Sequence, residues 1–165
     1  PVFRLLSPVL RPPMPKIVTK NRKARRYYDF EEDYEGGLVL KGSEVKSIRE
    51  GRINLKDSFA TFRNDELWLV NAHIAPYDHG SHENHLPERE RKLLLKRREI
   101  ERIRGRLTAG GYSLIPLAVY FKDSWVKVQL GLGKGKKRHD RREDIKKKQH
   151  ELEIERAHAE NQDYF

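Results

Sequence analysis

Between Lys134 and Lys148 the chain reads KGKKRHDRREDIKKK, nine Lys or Arg against three acids. No core can take in such a run, because each ammonium or guanidinium would lose its hydration without gaining a partner. The folded body must therefore be complete before this stretch, which belongs at the surface. Its natural partner is a polyanion, and Asp140, Arg141, Arg142 and Ile145 are spaced for a helix that forms on contact. A solvated, disordered tail is the plain alternative.

The rest of the chain decides between them. Its 165 residues suffice for one ordinary domain plus tails. A net charge of +10 and a pI near 9.8 point to nucleic acid or an anionic membrane surface. No apolar run approaches the ~18 residues that span a bilayer, so any membrane role would be peripheral. Cysteine is absent, which removes disulfides and thiolate zinc sites and fits a reducing compartment. Residues 1–15 are proline-rich and are expected to be disordered. Their apolar core is too short and too broken by Pro8 for a secretory signal, and Met14 is the only methionine, so the residues before it read as an upstream extension.

Lys16 to Arg26 carries six basic residues and no acid. Within it Asn21, Arg22, Lys23 and Arg25 offer an amide, point charges and forked guanidiniums, a set suited to phosphates and base edges. Tyr27 to Phe30 reads as a strand, followed by the acids Glu31, Glu32, Asp33 and Glu35. These are either internal ion-pair partners or acceptors for a guanine edge or ribose hydroxyl. Gly36-Gly37 predicts a bulge or bend before a next strand at Leu38 to Leu40. Ser43 is placed to cap a short helix, Glu44 to Arg49, that Gly51 ends. Ser58 to Arg63 and Leu67 to Ile74 form a hairpin, whose alternation sends Trp68, Val70, Ala72 and Ile74 to one face. His79, His82 and His85 stand three apart in a polar loop, but with no fourth ligand in ordered structure a mobile loop is the better reading than a metal site.

Pro87 to about Thr108 reads as one long helix, with Leu93, Ile100, Ile103 and Leu107 as its packing stripe. Its arginines form either a solvated face or an RNA-facing flank. After Gly110-Gly111 a second hairpin pairs Ser113 to Phe121 with Trp125 to Leu132, and Val126, Val128, Leu130 and Leu132 point inward. The acidic residues 149–165 close the chain. The fold class that follows is mainly β: an OB-like antiparallel barrel of about six strands with two or three flanking helices and a disordered basic C-terminal tail. Its divisions are residues 1–15, a barrel over 16–133, and a tail over 134–165. No nucleotide-hydrolysis fingerprint is present, GLGKGKK matches a phosphate loop only superficially, and no catalytic constellation, metal or cofactor is expected. The remaining classes are an RNA-binding adaptor, a structural ribosomal protein and an RNA-cleaving enzyme.

NRKAR (21–25), EGG (35–37), GSEVKSIREGRINLKDSF (42–59), NAHIAPY (71–77), RKLLLKRREI (91–100), LIPLAVYFKD (114–123) and GKGKKRHDRRED (133–144) resemble the small protein B (SmpB, SsrA-binding protein) family from about Lys16 to Lys148. The resemblance implies a non-enzymatic cytoplasmic adaptor. It would bind the tRNA-like part of transfer-messenger RNA and carry it to stalled ribosomes for trans-translation. Elongation factor Tu and alanyl-tRNA synthetase would join indirectly through the RNA. It further implies RNA contacts at Asn21, Arg22, Lys23, Arg25, Glu35, Leu94 and Lys127. In the tail, Lys134, Lys136, Lys137, His139, Asp140, Arg141 and Arg142 would engage the small-subunit decoding centre and the empty mRNA channel, becoming helical there. Two features depart from the family pattern: Leu86, where Asp is usual, and the proline-rich lead.

Overall fold

The computed structural model describes residues 15–79 and 83–162, apart from the side chains of 138, 139 and 160–162. Its frame is the hairpin of β8 (Tyr112–Lys122) and β9 (Trp125–Gly135), turned at Asp123 in the left-handed region. Val126, Val128, Leu130 and Leu132 are buried, as the alternation requires, and Lys127 and Gln129 face outward. The hairpin is one wall of a closed ring. In spatial order the ring runs β8, β4 (Phe59–Arg63), β5 (Glu66–Val70), β7 (Arg91–Leu94), β2 (Tyr28–Leu38) and β9, all antiparallel, and closes where β9 meets β8. β1 (Lys16–Lys20) adds to β8 outside the ring. The expected six-strand antiparallel barrel is thus the observed architecture. Ile48, Leu67, Leu69, Leu93, Ile103, Val119 and the β9 residues fill it.

The joints of this ring are unequal. β2 lies along β9 from Tyr28 to Gly37, whereas it meets β7 only at Gly37–Leu94 and Leu38–Leu93. Gly36 eases that meeting, and Gly36-Gly37 does not bend the chain. A Cβ on Gly36 would lie 3.0 Å from Leu95 Cδ1, so the pair stays in one strand that runs straight through to Leu38. The bulge falls between Phe30 and Glu32 instead. Gly133 serves the same end on β9, where a Cβ would sit 2.1 Å from the Asp29 carbonyl oxygen. GLGKGKK is therefore strand and close approach, not a phosphate loop.

Three local readings change. A one-turn helix α1 (Ala24–Tyr27) precedes β2, and its first residue, Ala24, is buried against Ile115 and Leu117. In α2 (Gly42–Arg49) the first turn is held by Glu44, which accepts the Lys41 N–H at 2.9 Å; Ser43 turns to His85 instead. Asn71 takes φ 62, and this left-handed residue resets the strand period. Leu67 and Leu69 before it, and Ala72 and Ile74 after it, all point inward, and β6 (His73–Ile74) leaves the hairpin to pair with β3 (Ile53–Asn54).

The largest correction concerns the long helix. Its first half is β7, and α3 runs only from Arg97 to Ala109, with Glu99 accepting the Lys96 N–H at 3.1 Å. Arg91 and Leu93 alternate inward and are buried, so Leu93 joins the core as a strand residue, not as part of a helical stripe. Beyond the barrel Arg138–Gln162 forms α4. The sequence predicts an unstructured tail until it meets a partner. In the structure Glu143 and Asp144 stand four residues before Lys147 and Lys148, a spacing that favours helix. Every side chain from Arg142 to Ala159 is exposed, so α4 has no packed face of its own over that length.

Candidate nucleic-acid interface

Residues opposite one another in antiparallel strands share a face. Across β7, β2, β9, β8 and β1 the outward row is Leu94, Gly37, Lys127, Tyr120 and Ile17. Leu94 is 52% exposed, although an apolar side chain of its size is ordinarily covered in a barrel wall. The Lys127 ammonium lies over Gly37, 3.7 Å from where a Cβ there would stand. Lys127 makes neither hydrogen bond nor ion pair with any described residue. Glu35, one register step away, accepts a hydrogen bond from the Tyr120 hydroxyl and another from Lys122 Nζ at 3.2 Å. The Tyr120 hydroxyl, and after it Lys122 and Lys127, hold the Glu35 carboxyl below the usual range despite partial desolvation. Desolvation and this carboxylate push the Tyr120 phenol up. The result is a fixed carboxylate, a free ammonium and an exposed leucine on one patch of wall. The structure thus brings together Glu35, Leu94 and Lys127, which lie far apart in sequence.

The NRKAR residues lie elsewhere. Asn21 donates through Nδ2 to the carbonyls of Pro116 (3.1 Å) and Leu55 (3.4 Å), and its own N–H bonds Leu117 O at 2.7 Å. Its amide donors are spent in pinning the loop before α1. Arg22 and Lys23 then project from that pinned loop and Arg25 from α1, all exposed and without a side-chain partner among the described residues. Arg22 and Lys23 stand beside an open groove of about 1060 Å³, with Phe59, Leu114 and Tyr112 in its lining and Lys20 and Lys56 also along it. Tyr112 here and Tyr120 in the row are eight residues apart on β8, roughly 26 Å at about 3.3 Å per residue. The two groups therefore form separate patches on one barrel.

Three of the five arginines of α3 pair with barrel carboxylates; Arg97 pairs with Glu101 of its own helix, and Arg98 is exposed with no partner among the described residues. Arg102 pairs with Glu32 at 2.7 Å, Arg104 with Asp65 at 2.9 Å, and Arg106 reaches Glu31 and Glu32. The acids after Tyr27 thus clamp α3 to the barrel, and those arginines do not form a free RNA flank. Arg102, then the Tyr34 hydroxyl, lower Glu32 from the ordinary 4.5 to about 2. A carboxylate depressed on folding contributes stability that is complete above about pH 4.5 and lost as pH falls toward 2. Acid titration followed by circular dichroism should show Arg102→Gln with a flatter loss of stability across that window than the parent chain. An identical profile would mean that the clamp contributes nothing.

At the tail root, Lys134 lies within β9 with its ammonium 4.8 Å from the Tyr112 ring centroid. The Lys136 N–H bonds Tyr27 O at 2.8 Å, and its ammonium pairs with Asp144. Arg141 stacks 5.5 Å over Tyr27. Lys137, Asp140 and Arg142 are exposed; the His139 side chain and His82 lie outside the described residues. His85 is a buried structural residue, with Nδ1 at 2.9 Å from Ser43 Oγ and Nε2 at 2.9 Å from Ile74 O, and no metal-binding cluster occurs among the described residues.

A family model described as SmpB protein matches residues 18–160. The chain belongs to the SmpB family. The SsrA-binding protein of Gloeothece citriformis is 54% identical to it over 143 residues, covering 86% of this chain and 92% of that protein. The SsrA-binding protein of Bacillus subtilis is 51% identical over 150 residues, with 91% and 96% covered. A solved chain described as "tmRNA-SmpB: a journey to the center of the bacterial ribosome" aligns with TM-score 0.62 at 44% identity, covering 77% of this chain and 93% of that one.

Beyond the motifs shared with the SmpB family, the chain holds supports that the sequence does not announce. Tyr27 and Tyr112 seat Arg141 and Lys134, yet each looks like an ordinary strand aromatic. Glu44 and Arg91 are fully buried partners 47 residues apart, and only a swap-sensitive pairing signal would have found them.

Proposed function

We propose that this SmpB-family chain is an RNA-binding adaptor that performs no bond chemistry: it binds the tRNA-like domain of transfer-messenger RNA, the SsrA RNA, and delivers it to stalled ribosomes for trans-translation. The barrel holds the RNA through Arg22, Lys23 and Arg25, on the loop that Asn21 pins, and through Glu35, Leu94 and Lys127. The tail, from Lys136 through Lys137, His139, Asp140, Arg141 and Arg142, enters the small subunit at the decoding centre and tests whether the mRNA channel is empty; Lys134 anchors its root. Elongation factor Tu and alanyl-tRNA synthetase meet the complex through the RNA, in the cytoplasm. No described helix is long and apolar enough to cross a membrane.

The observation that carries the reading is the sorting of cations. Arg102, Arg104 and Arg106 on α3 are paired with barrel carboxylates, while Arg22, Lys23, Arg25 and Lys127, with Arg98 of α3, stand unpaired among the described residues on outward surfaces. Unpaired cations on a rigid wall are what phosphates replace counterions to meet. Filter binding of labelled transfer-messenger RNA across a salt series tests it. Log affinity should fall against log salt by roughly 0.7–0.9 per phosphate neutralised, and Lys127→Ala should flatten that slope by about one phosphate's worth. Binding indifferent to salt would defeat the proposal.

A further inference from the structure

Trp125 is 73% exposed, more than any other aromatic ring singled out as exposed among the described residues; Tyr27 and Phe59 are 45% and 38%. It opens β9 immediately after the turn at Asp123. Side chains two apart on a strand share a face, so Trp125 stands about 7 Å along the outer wall from Lys127. Its cross-strand partner is Lys122, whose ammonium is held at 3.2 Å by Glu35. The indole therefore extends the patch of Glu35, Lys127 and Leu94 rather than standing alone. Nothing in the barrel's packing requires an indole here, because the inward residue of the pair is Val126 and the ring contributes no core contact.

We infer that Trp125 is a stacking platform for an unpaired nucleobase of the bound RNA, with Lys127 taking the neighbouring phosphate. The inference rests on the RNA-binding reading above and adds a base-contacting residue to it. A π-face beside a free cation is the arrangement by which proteins hold unstacked bases: the ring takes the base and the cation takes the backbone. A flat indole accepts any base, so this contact sets affinity and position more than sequence choice.

The chain has two tryptophans, and the other, Trp68, lies half-buried in β5. Trp68→Phe thus leaves Trp125 as the sole indole. Titrating this full-length variant with transfer-messenger RNA should quench its emission in step with RNA retention on a filter. Independently, Trp125→Ala should weaken binding on the order of tenfold with the salt slope unchanged, and Trp125→Phe should recover most of the loss. If RNA is retained while Trp125 emission does not move and Trp125→Ala binds as tightly as the parent, the platform is refuted and the adaptor reading stands. An emission maximum already typical of a buried indole in the free chain would give the ring to the protein's own termini and likewise refute it. If the parent chain retains no RNA, both readings fall together.

Discussion

Glu44→Ala lowers the stability of the barrel by about 3–5 kcal/mol, the cost of stranding a buried charge by removing its partner. Glu44 and Arg91 are both fully buried, and Glu44 accepts hydrogen bonds from Arg91 Nε, from Arg89 and from the Lys41 N–H. Burial opposes the charged carboxylate, yet the Lys41 N–H, Arg89 and Arg91 outweigh it and leave its pKa lowered. Burial likewise pulls Arg91 down, and without Glu44 nothing offsets that. Arg91 also donates to Ala72 O at 2.7 Å and Pro87 O at 3.0 Å, which ties β7 to the segments on either side. Since β7 carries Leu94, RNA affinity should fall with stability. Urea unfolding gives the number, and a loss under about 1 kcal/mol would show that water reaches the site. The double variant Glu44→Leu, Arg91→Met should recover a large part of the loss, because an apolar pair strands no charge.

Deleting residues 138–165 should leave affinity for transfer-messenger RNA within about threefold of the full chain while abolishing tagging of nascent chains on stalled ribosomes. The cut falls after Lys137 because Lys134 belongs to β9 and the Lys136 N–H is bonded to Tyr27. Past that point the barrel loses the Arg141–Tyr27 stack and the Lys136–Asp144 pair as ties to α4. Nor does the cut weaken long-range attraction. The deleted stretch carries seven Lys or Arg and eight Asp or Glu, so the net charge moves from +10 to +11. In-vitro translation of a message without a stop codon reads the tagging, and filter binding reads the affinity. Parallel loss of both would place the RNA contacts in the tail.

The parts of the fold that the sequence displays are those where one short-range period governs. Val126 to Leu132 alternate cleanly because β9 is paired on both edges and one face is core. RKLL does not, because its inward residue at 91 is an arginine. A buried arginine is tolerable only where a carboxylate from α2 meets it, and that meeting spans 47 residues. Leu93 then falls by coincidence on the spacing of Ile100, Ile103 and Leu107, and a helix is read where a strand lies. Asn71 hides its effect in the same way, since one left-handed residue inverts the alternation of everything after it. Of the candidate surface, composition displays the unpaired cations, and the family motifs single out Glu35, Leu94 and Lys127. That these three share a patch is a product of ring closure, which no local pattern encodes.

One of the short joints in the hoop of six strands is where β2 touches β7, at Gly37–Leu94 and Leu38–Leu93. Leu94 stands on one lip of that joint and Lys127, anchored through β9, on the other. A strand of RNA laid across both acts as a clasp. While it is in place the joint cannot breathe, and by mass action the free energy of binding is added to that of closure. Release of an RNA held in this way would then be coupled to opening of this joint.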